Sequence, residues 1–325
     1  MTNRRISDIS QKHLLDWYTG NYRRLPWRET RDPYRILVSE IMLQQTQAER
    51  VVPKYHEFLE RFPTLEALAD APASEVIRAW AGLGYNRRAL NLQRACRAVV
   101  EKFGGVMPSD PVDLLSLPGI GPYTAGAVAC FAFERDVGFV DTNIRRVIHR
   151  VLAGPEFPEP LMTNREVEQA AREMVPPGNG YMWNQALMEL GATICRARVA
   201  ECERCPLSSE CRSSMTIKSV LSEAPKSARK PEPKFETTSR YFRGRIVDAL
   251  RVAGPSGLTL AELGALVKPD FGVDDAAWIS GHVAGLERDG LLVGGNDEGQ
   301  RLVAEESLPY DLDRPDLSRR VRLPD

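Results

Sequence analysis

The 325-residue chain lacks the features that would place it in a membrane or mark it for secretion. No uninterrupted apolar run reaches the roughly 20 residues that a membrane-spanning helix needs. The first ten residues, MTNRRISDIS, have no apolar segment after their arginines, and a secretory signal requires one. We therefore expect a cytoplasmic protein with no membrane partner.

An excess of charge of one sign is also missing, because the formal net charge is only −1. The distribution along the chain is more informative than the total. Residues 1–240 carry a net charge of +4, and residues 241–325 carry −5. If a nucleic acid binds, the basic first part of the chain should contact it.

Cysteine is scarce, yet four of the six cysteines fall within seventeen residues, with the spacing C-x6-C-x2-C-x5-C. In a cytoplasmic protein such crowding favours a metal site over disulfides. Thiolates bind both zinc and iron–sulfur clusters, but structural zinc sites usually have two separated C-x2-C pairs, and here there is one. The spacing therefore favours one [4Fe-4S] cluster over zinc. The predicted ligands are Cys195, Cys202, Cys205 and Cys211.

Alternating strand patterns are rare in the first two thirds of the chain. Residues 7–212 show apolar positions at helical spacing, which predicts a mainly α fold. Residues 213–240 are polar and rich in proline and lysine, as linkers are. Residues 241–310 then show three helical patterns, the second with Thr259 as its N-cap, followed by a hairpin pattern around Gly-Gly-Asn-Asp. This order predicts a small winged-helix-like α+β domain, followed by a tail at 311–325.

The segment LPGIGPYTAG places two glycines in a turn just before an apolar helix. Free backbone N–H groups at a helix N-terminus attract anions, so Leu117, Gly119, Gly121 and Thr124 are candidates for contact with a phosphate. A G-x-G turn alone is more often a plain helix connection. The flanking residues make the segment similar to the helix–hairpin–helix motif that binds the DNA backbone.

Two carboxylates lie in unusual surroundings. Glu40 sits between apolar residues of a predicted helix, where it is either a surface residue, a salt-bridge partner or a buried acid with a raised pKa. Asp141 opens the helical pattern of VDTNIRRVIHR. Either Asp141 or Thr142 is predicted as its N-cap, and capping does not exclude catalysis.

Taken in order, PWR, DPY, SE-x-MLQQTQ, GLGY, LPGIGPYTAG, VDTN and the cysteine array resemble the adenine DNA glycosylase branch of the helix–hairpin–helix glycosylases. The resemblance covers residues 7–212. It implies a six-helix domain at 30–135 and an iron–sulfur domain made of residues 1–29 and 136–212. Double-stranded DNA with a mismatched or damaged base would lie between them, with the target nucleotide turned out of the helix. We expect a monomer that is associated with the nucleoid when bound to DNA.

The resemblance also implies roles for individual residues. Glu40 matches the general acid that protonates the departing adenine, and Asp141 the carboxylate that stabilises the positively charged sugar. Tyr123 and Asn143 match residues that support this pair by hydrogen bonding. Four further positions match residues that line the base pocket or push into the duplex. Arg28 and Gln185 are the pocket positions, and Gln45 and Tyr85 are the duplex-probing positions.

The chain also lacks a lysine anywhere between Lys102 and Lys218. Relatives that cut the DNA strand carry a lysine in the hairpin motif, where this sequence has Tyr123. That amine forms a Schiff base with the sugar. The resemblance therefore implies a monofunctional glycosylase, which hydrolyses the N-glycosidic bond without an efficient lyase step.

The C-terminal part departs from the family pattern. Adenine glycosylases commonly carry a domain resembling Nudix hydrolases, with a Phe-Ser-His motif that reads 8-oxoguanine, and residues 241–325 do not match it. Thr142 stands where many adenine glycosylases have glycine, and the endonuclease III branch also has threonine there. The C-terminal domain is predicted to contact either protein or DNA.

Three functions follow from these features. The first is removal of adenine mispaired with guanine or 8-oxoguanine. The second is a thymine or uracil glycosylase acting at mismatches with guanine, with which Tyr123 is equally compatible. The third is a non-catalytic iron–sulfur protein that binds DNA, and the two carboxylates argue against it.

Overall fold

The computed structural model describes residues 6–157, 159–223, 234–295 and 316–325, and within these ranges the chain is mainly helical, as predicted. None of the described helices combines the length and the apolar character needed to cross a bilayer. The helices are α1 (Asp8–Asn21), α2 (Pro33–Leu43), α3 (Ala48–Arg61), α4 (Leu65–Asp70), α5 (Ala73–Ala79), α6 (Arg87–Phe103), α7 (Pro111–Leu115), α8 (Pro122–Phe133), α9 (Thr142–Leu152), α10 (Asn164–Glu173), α11 (Gly180–Thr193), α12 (Ile217–Glu223), α13 (Ser239–Ala253), α14 (Leu260–Val267) and α15 (Ala276–Arg288). The strands are β1 (Leu258–Thr259), β2 (Val293–Gly295) and β3 (Arg320–Arg322).

The chain divides into two compact units. The first comprises Met1–Glu40 and Met107–Ala228, and the second comprises Ile41–Val106 and Arg229–Asp325. Helix α2 therefore begins in the first unit and ends in the second. The domain boundaries given above remain a prediction.

The first unit is built on α11, which packs against α1, α8 and α9. Its core includes fully buried Leu14, Ile148 and Trp183. Helix α8 begins with Pro122, which suits the first helical position because an N–H there would have no acceptor within the helix. A capping box between Thr163 and Glu166 fixes the start of α10. The start of α8 determines where its site residue Tyr123 stands, and the N-cap Asp141 sets the start of α9.

The second unit joins α3–α6 to a C-terminal module, which we define as α13–α15 with β1–β3. Ile77 of α5 and Leu90 of α6 lie in one buried cluster with Ile246, Leu250 and Val283 of the module. The three strands are antiparallel in the order β1-β3-β2. Burying aliphatic side chains of this kind contributes about 1.5–3 kcal/mol each.

The three helices predicted in the C-terminal part are confirmed, and Thr259 caps α14 through a capping box with Glu262. Of the predicted hairpin turn at residues 294–297, Gly294 and Gly295 belong to β2, and the rest lies outside the described residues. The strand that pairs with β2 is β3, which falls in the segment predicted to be a tail. That prediction is wrong for residues 320–322. A three-residue strand is too short to display an alternating pattern, and only its pairing on both sides defines it. Helix α12 likewise occupies part of the predicted linker.

Candidate active site

Glu40 is buried in the middle of α2, with only 3% of its surface exposed. Burial is the main cause that raises its pKa from 4.5 to about 7. A hydrogen bond from Tyr123 and the charge of Arg28 lower this pKa, while the charge of Asp141 raises it further. Of the interpretations open for Glu40, the buried acid is the one that fits, and it can hold a proton near neutral pH.

The hydroxyl of Tyr123, the second residue of α8, donates to Oε2 of Glu40 at 2.7 Å. The Tyr123 ring packs edge-to-face on Phe139, with centroids 5.5 Å apart. A Cβ at Gly126 would lie 2.7 Å from the Cβ of Phe139, so only glycine permits this packing. Burial and the neighbouring carboxylates raise the pKa of Tyr123 well above its ordinary value, which keeps it a hydrogen-bond donor.

Asp141 is the N-cap of α9, as one of the two sequence interpretations proposed. Its Oδ1 accepts from the backbone N–H of Ile144 at 2.6 Å, and its Oδ2 accepts from Nδ2 of Asn143 at 2.9 Å. Burial raises the pKa of Asp141, and these hydrogen bonds oppose the rise. Glu40 accepts from the Tyr123 hydroxyl, whereas Asp141 accepts from the backbone as well as from a side chain, so the two carboxyls stand in different environments.

Sequence reasoning missed Arg146, which holds Asn143 in place. Its Nη2 donates to Oδ1 of Asn143 at 2.8 Å and to the carbonyl of Gly191 at 2.7 Å, and its Nε donates to the carbonyl of Cys195 at 2.7 Å. A Cβ at Gly191 would lie 2.6 Å from the Cβ of Asn143. The spacing of Arg146, one helical turn after Asn143, was the available signal.

Arg28 and Gln185 are brought together, since Nε of Arg28 donates to Oε1 of Gln185 at 2.9 Å. Arg28 also pairs with Glu189 at 2.8 Å, and Arg23 pairs with the same carboxylate at 2.7 Å. Sequence reasoning missed Glu189, whose side chain is completely buried. A charged residue four positions after Gln185 on an apolar helix was the signal for it.

The predicted hairpin motif connects α7 to α8. Leu117 is buried, Gly119 has a φ of +75° that favours glycine, and Gly121 is the N-cap of α8. Thr124 is buried in the first turn of α8. A Cβ at Gly121 would meet no protein atom within 4 Å. The turn therefore offers an open backbone surface at a helix N-terminus.

The four predicted metal ligands line one cavity, together with apolar side chains of α9 and α11. All four are free thiols. Buried Arg150 organises the loop: it donates to Sγ of Cys195 at 3.5 Å, and its carbonyl accepts from Cys211 at 3.4 Å. Burial raises the pKa of Cys205 to about 12 and that of Cys211 to about 11. Among the described residues, no three metal-ligating side chains form a site for a single ion. Four thiols around one pocket are a donor set that fits a cluster.

Gln45 and Tyr85 belong to the second unit and are placed within it. Both have φ in the left-handed region, at +57° and +47°. One half-buried guanidinium connects their loops, because Arg88 donates to the carbonyl of Met42 at 3.1 Å and to that of Gly84 at 3.2 Å. The two residues that the resemblance assigns to duplex probing are thus both in strained conformations on exposed turns.

Comparison with known proteins places this geometry in a family. Residues 38–177 match the model of the HhH-GPD superfamily of base excision DNA repair proteins. An adenine DNA glycosylase of Mycolicibacterium smegmatis is 41% identical over 279 residues, which are 86% of this chain and 92% of the relative. That alignment is longer than residues 1–212, so the similarity extends into the C-terminal part.

Solved structures agree on the fold. A thermostable thymine-DNA glycosylase is 34% identical, with a TM-score of 0.59 over 63% of this chain and 94% of its own. An endonuclease III trapped as a covalent intermediate with DNA is 24% identical, with a TM-score of 0.55 over 63% of this chain and 94% of its own. At 24% identity, the similarity to endonuclease III supports the fold alone. On the strength of the first relative, which it covers almost completely, the chain belongs to the adenine DNA glycosylases of the HhH-GPD base excision repair superfamily.

Proposed function

We propose that this protein removes adenine from mismatches in double-stranded DNA by hydrolysing the N-glycosidic bond. The observation that carries the proposal is the buried Glu40 carboxyl with a pKa of about 7, hydrogen-bonded to Tyr123 and within electrostatic range of Asp141. An acid that ionises near the working pH is well suited to proton transfer. The adenine glycosylases among the relatives support adenine as the base.

In the proposed reaction the target nucleotide is turned out of the duplex, and the protonated Glu40 donates its proton to a ring nitrogen of adenine. The C1′–N9 bond then breaks, and the electron pair leaves with the protonated base. The ionised Asp141 stabilises the positive charge on the sugar, as a carboxylate does in glycoside hydrolysis. A water molecule supplies hydroxide to C1′, and its proton restores Glu40.

The surrounding residues position these two groups. Tyr123 fixes the Glu40 carboxyl, and Asn143 with Arg146 fixes Asp141. Arg28 and Gln185 line the base pocket in the proposal, with Glu189 holding Arg28 in place. Such support keeps the reacting groups in a productive geometry.

DNA binding is proposed at the turn between α7 and α8. The N–H groups around Gly119 and Gly121 would bind a backbone phosphate beside the flipped nucleotide, since a helix N-terminus favours an anion. Gln45 and Tyr85 would enter the duplex. The protein is proposed to bind DNA as a monomer. Its C-terminal module is proposed to be winged-helix-like, which the observed order of its helices and strands supports.

The enzyme is proposed to be monofunctional. Tyr123 stands where strand-cutting relatives have lysine, and its hydroxyl is engaged with Glu40. Base excision should therefore proceed without a Schiff base. Borohydride added during turnover should trap no protein on the DNA; stoichiometric trapping would contradict this proposal.

One [4Fe-4S] cluster is proposed to be held by Cys195, Cys202, Cys205 and Cys211. When bound, it would supply four metal–thiolate bonds that fix the 195–211 loop, and a role in electron transfer is not needed for base removal. Analysis of iron and acid-labile sulfide in purified protein tests this, with Cys96→Ser as the control for Cys205→Ser. Four irons and four sulfides in the protein and in the control, and their loss in Cys205→Ser, are expected; stoichiometric zinc instead would refute the cluster.

Duplexes with A:8-oxoG, A:G, T:G and U:G pairs test the substrate. Adenine release from the first two is expected, and Asp141→Asn should abolish it. The second candidate is a thymine or uracil glycosylase, which the thermostable thymine-DNA glycosylase favours by its 34% identity. Activity on T:G or U:G alone would establish that candidate and refute adenine. Unchanged cellular function of Asp141→Asn would point to a non-catalytic DNA-binding role.

A further inference from the structure

Tyr85 is positioned by neighbouring residues of the same chain segment, Trp80 to Arg88. It follows Gly82 and Gly84, whose φ values of +85° and +69° define a tight turn. The carbonyl of Gly84 accepts from Nε1 of Trp80 at 3.2 Å, and the guanidinium of Arg88 lies 5.5 Å from the centre of the Tyr85 ring. Tyr85 as a whole residue is 42% exposed in the complete protein. These contacts fix the turn and the inner part of the Tyr85 environment.

The C-terminal module contacts Tyr85 through Arg240. Its guanidinium lies 5.3 Å from the centre of the Tyr85 ring, and its Nη1 donates a hydrogen bond to the Tyr85 hydroxyl. Phe235 packs on the same guanidinium at 5.1 Å. The Tyr85 ring thus contacts the guanidinium groups of both Arg88 and Arg240, and its hydroxyl is engaged by Arg240.

The placement of Arg240 follows from how the module is anchored. Nε of Arg251 donates to the carbonyl of Ile77 at 3.0 Å, and its Nη2 donates to Oδ1 of Asn86 at 2.9 Å. Asn86 directly follows Tyr85 in the chain. Thr238 caps α13, which fixes the turn that carries Arg240. The module therefore contacts the segment around Tyr85 twice, through Arg240 at Tyr85 and through Arg251 at Asn86.

We propose that Arg240 is a positioning residue through which the C-terminal module orients Tyr85 for probing the strand opposite the target base. This inference rests on the proposed function, which assigns Tyr85 to the duplex. A tyrosine ring that must enter a base stack works best when its orientation is set beforehand. A planar guanidinium can both stack on the ring and donate to the hydroxyl, which an ammonium does not reproduce.

The test compares Arg240→Ala with Arg245→Ala. Arg245 is a matched control on the same helix, since its guanidinium lies 5.9 Å from the Tyr241 ring and donates to that hydroxyl at 3.2 Å. Both changes remove one positive charge. The first readout is the fluorescence of 2-aminopurine placed next to guanine in the strand opposite adenine, which rises when a side chain enters the stack. The second is the single-turnover rate of adenine release from an A:G duplex.

Arg240→Ala should lose most of the fluorescence rise and slow adenine release by at least about tenfold, because it removes both a cation–π contact and a charged hydrogen bond. Arg245→Ala should release adenine at a rate within about twofold of the wild type, because an exposed surface charge of this kind contributes little. Arg240→Lys keeps the positive charge but not the planar guanidinium, so it should not recover the rate of adenine release. Tyr85→Phe combined with Arg240→Ala should be no slower than Arg240→Ala alone, and this coupling holds even if Arg240→Ala lowers thermal stability.

Equal behaviour of the two alanine variants, or full rescue by Arg240→Lys, would overturn the inference, because either result assigns Arg240 to general charge. Failure of the proposed function looks different. In that case the wild type releases no adenine, while the fluorescence of bound mismatch DNA still reports whether Arg240 controls Tyr85.

Discussion

Replacing Glu40 by glutamine should make the protein more stable at alkaline pH while abolishing catalysis. Glu40 is buried, and its pKa of about 7 lies well above its ordinary value of 4.5. The folded protein therefore favours the neutral carboxyl. The stability that this proton contributes is complete below about pH 4.5 and is lost as the pH rises through about 7. The glutamine side chain cannot ionise, so the free energy of unfolding of the variant does not fall in this way as the pH rises.

The size of the effect follows from the pKa. One pKa unit corresponds to about 1.4 kcal/mol, so the ionised Glu40 lowers the free energy of unfolding by about 3 kcal/mol at high pH. Part of this is already lost at pH 5.5. The advantage of the variant should therefore grow by about 2 kcal/mol between pH 5.5 and pH 8.5. In a protein of this size that corresponds to about 4 °C in melting temperature.

Thermal unfolding of both proteins at the two pH values measures this change. A buried amide has its own cost, but that cost is the same at both pH values and cancels in the comparison. Glu101→Gln is the control, because it removes the same charge from an exposed position on α6. A stability gap between Glu40→Gln and the wild type that does not widen with pH would refute the raised pKa, and with it the argument for Glu40 as the acid.

Three further changes test the support of the site. Tyr123→Phe should move the alkaline limb of the pH–rate profile for adenine release to higher pH, because it removes a hydrogen bond that holds the pKa of Glu40 down. Glu189→Gln should lower the free energy of unfolding by about 3 kcal/mol in urea, because two arginines lose their buried partner. Gly191→Ala should lower stability by about 1–3 kcal/mol and slow excision, because the new Cβ meets Asn143 at 2.6 Å.

Each of these has a control. Tyr22→Phe removes a hydroxyl from a partly exposed ring, and it should leave the pH profile in place. Glu173→Gln should leave unfolding in urea close to that of the wild type, since its carboxylate is exposed. Gly20→Ala meets no atom within 4 Å and should not destabilise the protein. A shift of the alkaline limb to lower pH in Tyr123→Phe would contradict the argument on the Glu40 pKa. Equal stability of Glu189→Gln and Glu173→Gln would contradict the argument on the buried ion pairs. Equal stability of Gly191→Ala and Gly20→Ala would contradict the argument on the close contact with Asn143.

The sequence was sufficient for residues whose type and local pattern carry the signal. Asp141 begins a helical pattern and is its N-cap, and the cysteines share one cavity. Glu40 was found because a charge in an apolar helix is unusual. Its three interpretations could be separated only by burial, which depends on chain segments more than eighty residues away, such as the one carrying Tyr123.

The residues that sequence reasoning missed act through tertiary contacts. Arg146 and Arg150 lie on α9, which carries other charged residues, and Glu189 is marked only as a charge on an apolar helix, so the local sequence does not identify the partners of any of the three. Their partners come from distant segments, as when Arg150 contacts Cys195. The strand β3 was missed for the same reason, because its two partner strands lie about 25 and 60 residues before it.

The position of β3 also has a consequence for mutations that alter the reading frame. Arg320–Arg322 form the middle strand of the sheet, and the carbonyl of Pro324 accepts from the N–H of Ser74 on α5. A frameshift or stop codon that spares every residue before 320 would still remove the strand that β1 and β2 share. It would also uncover apolar residues of α5 and α6 that the module buries. Such a late lesion in the gene should therefore destabilise the module, and selection for the protein should extend to codons 320–324.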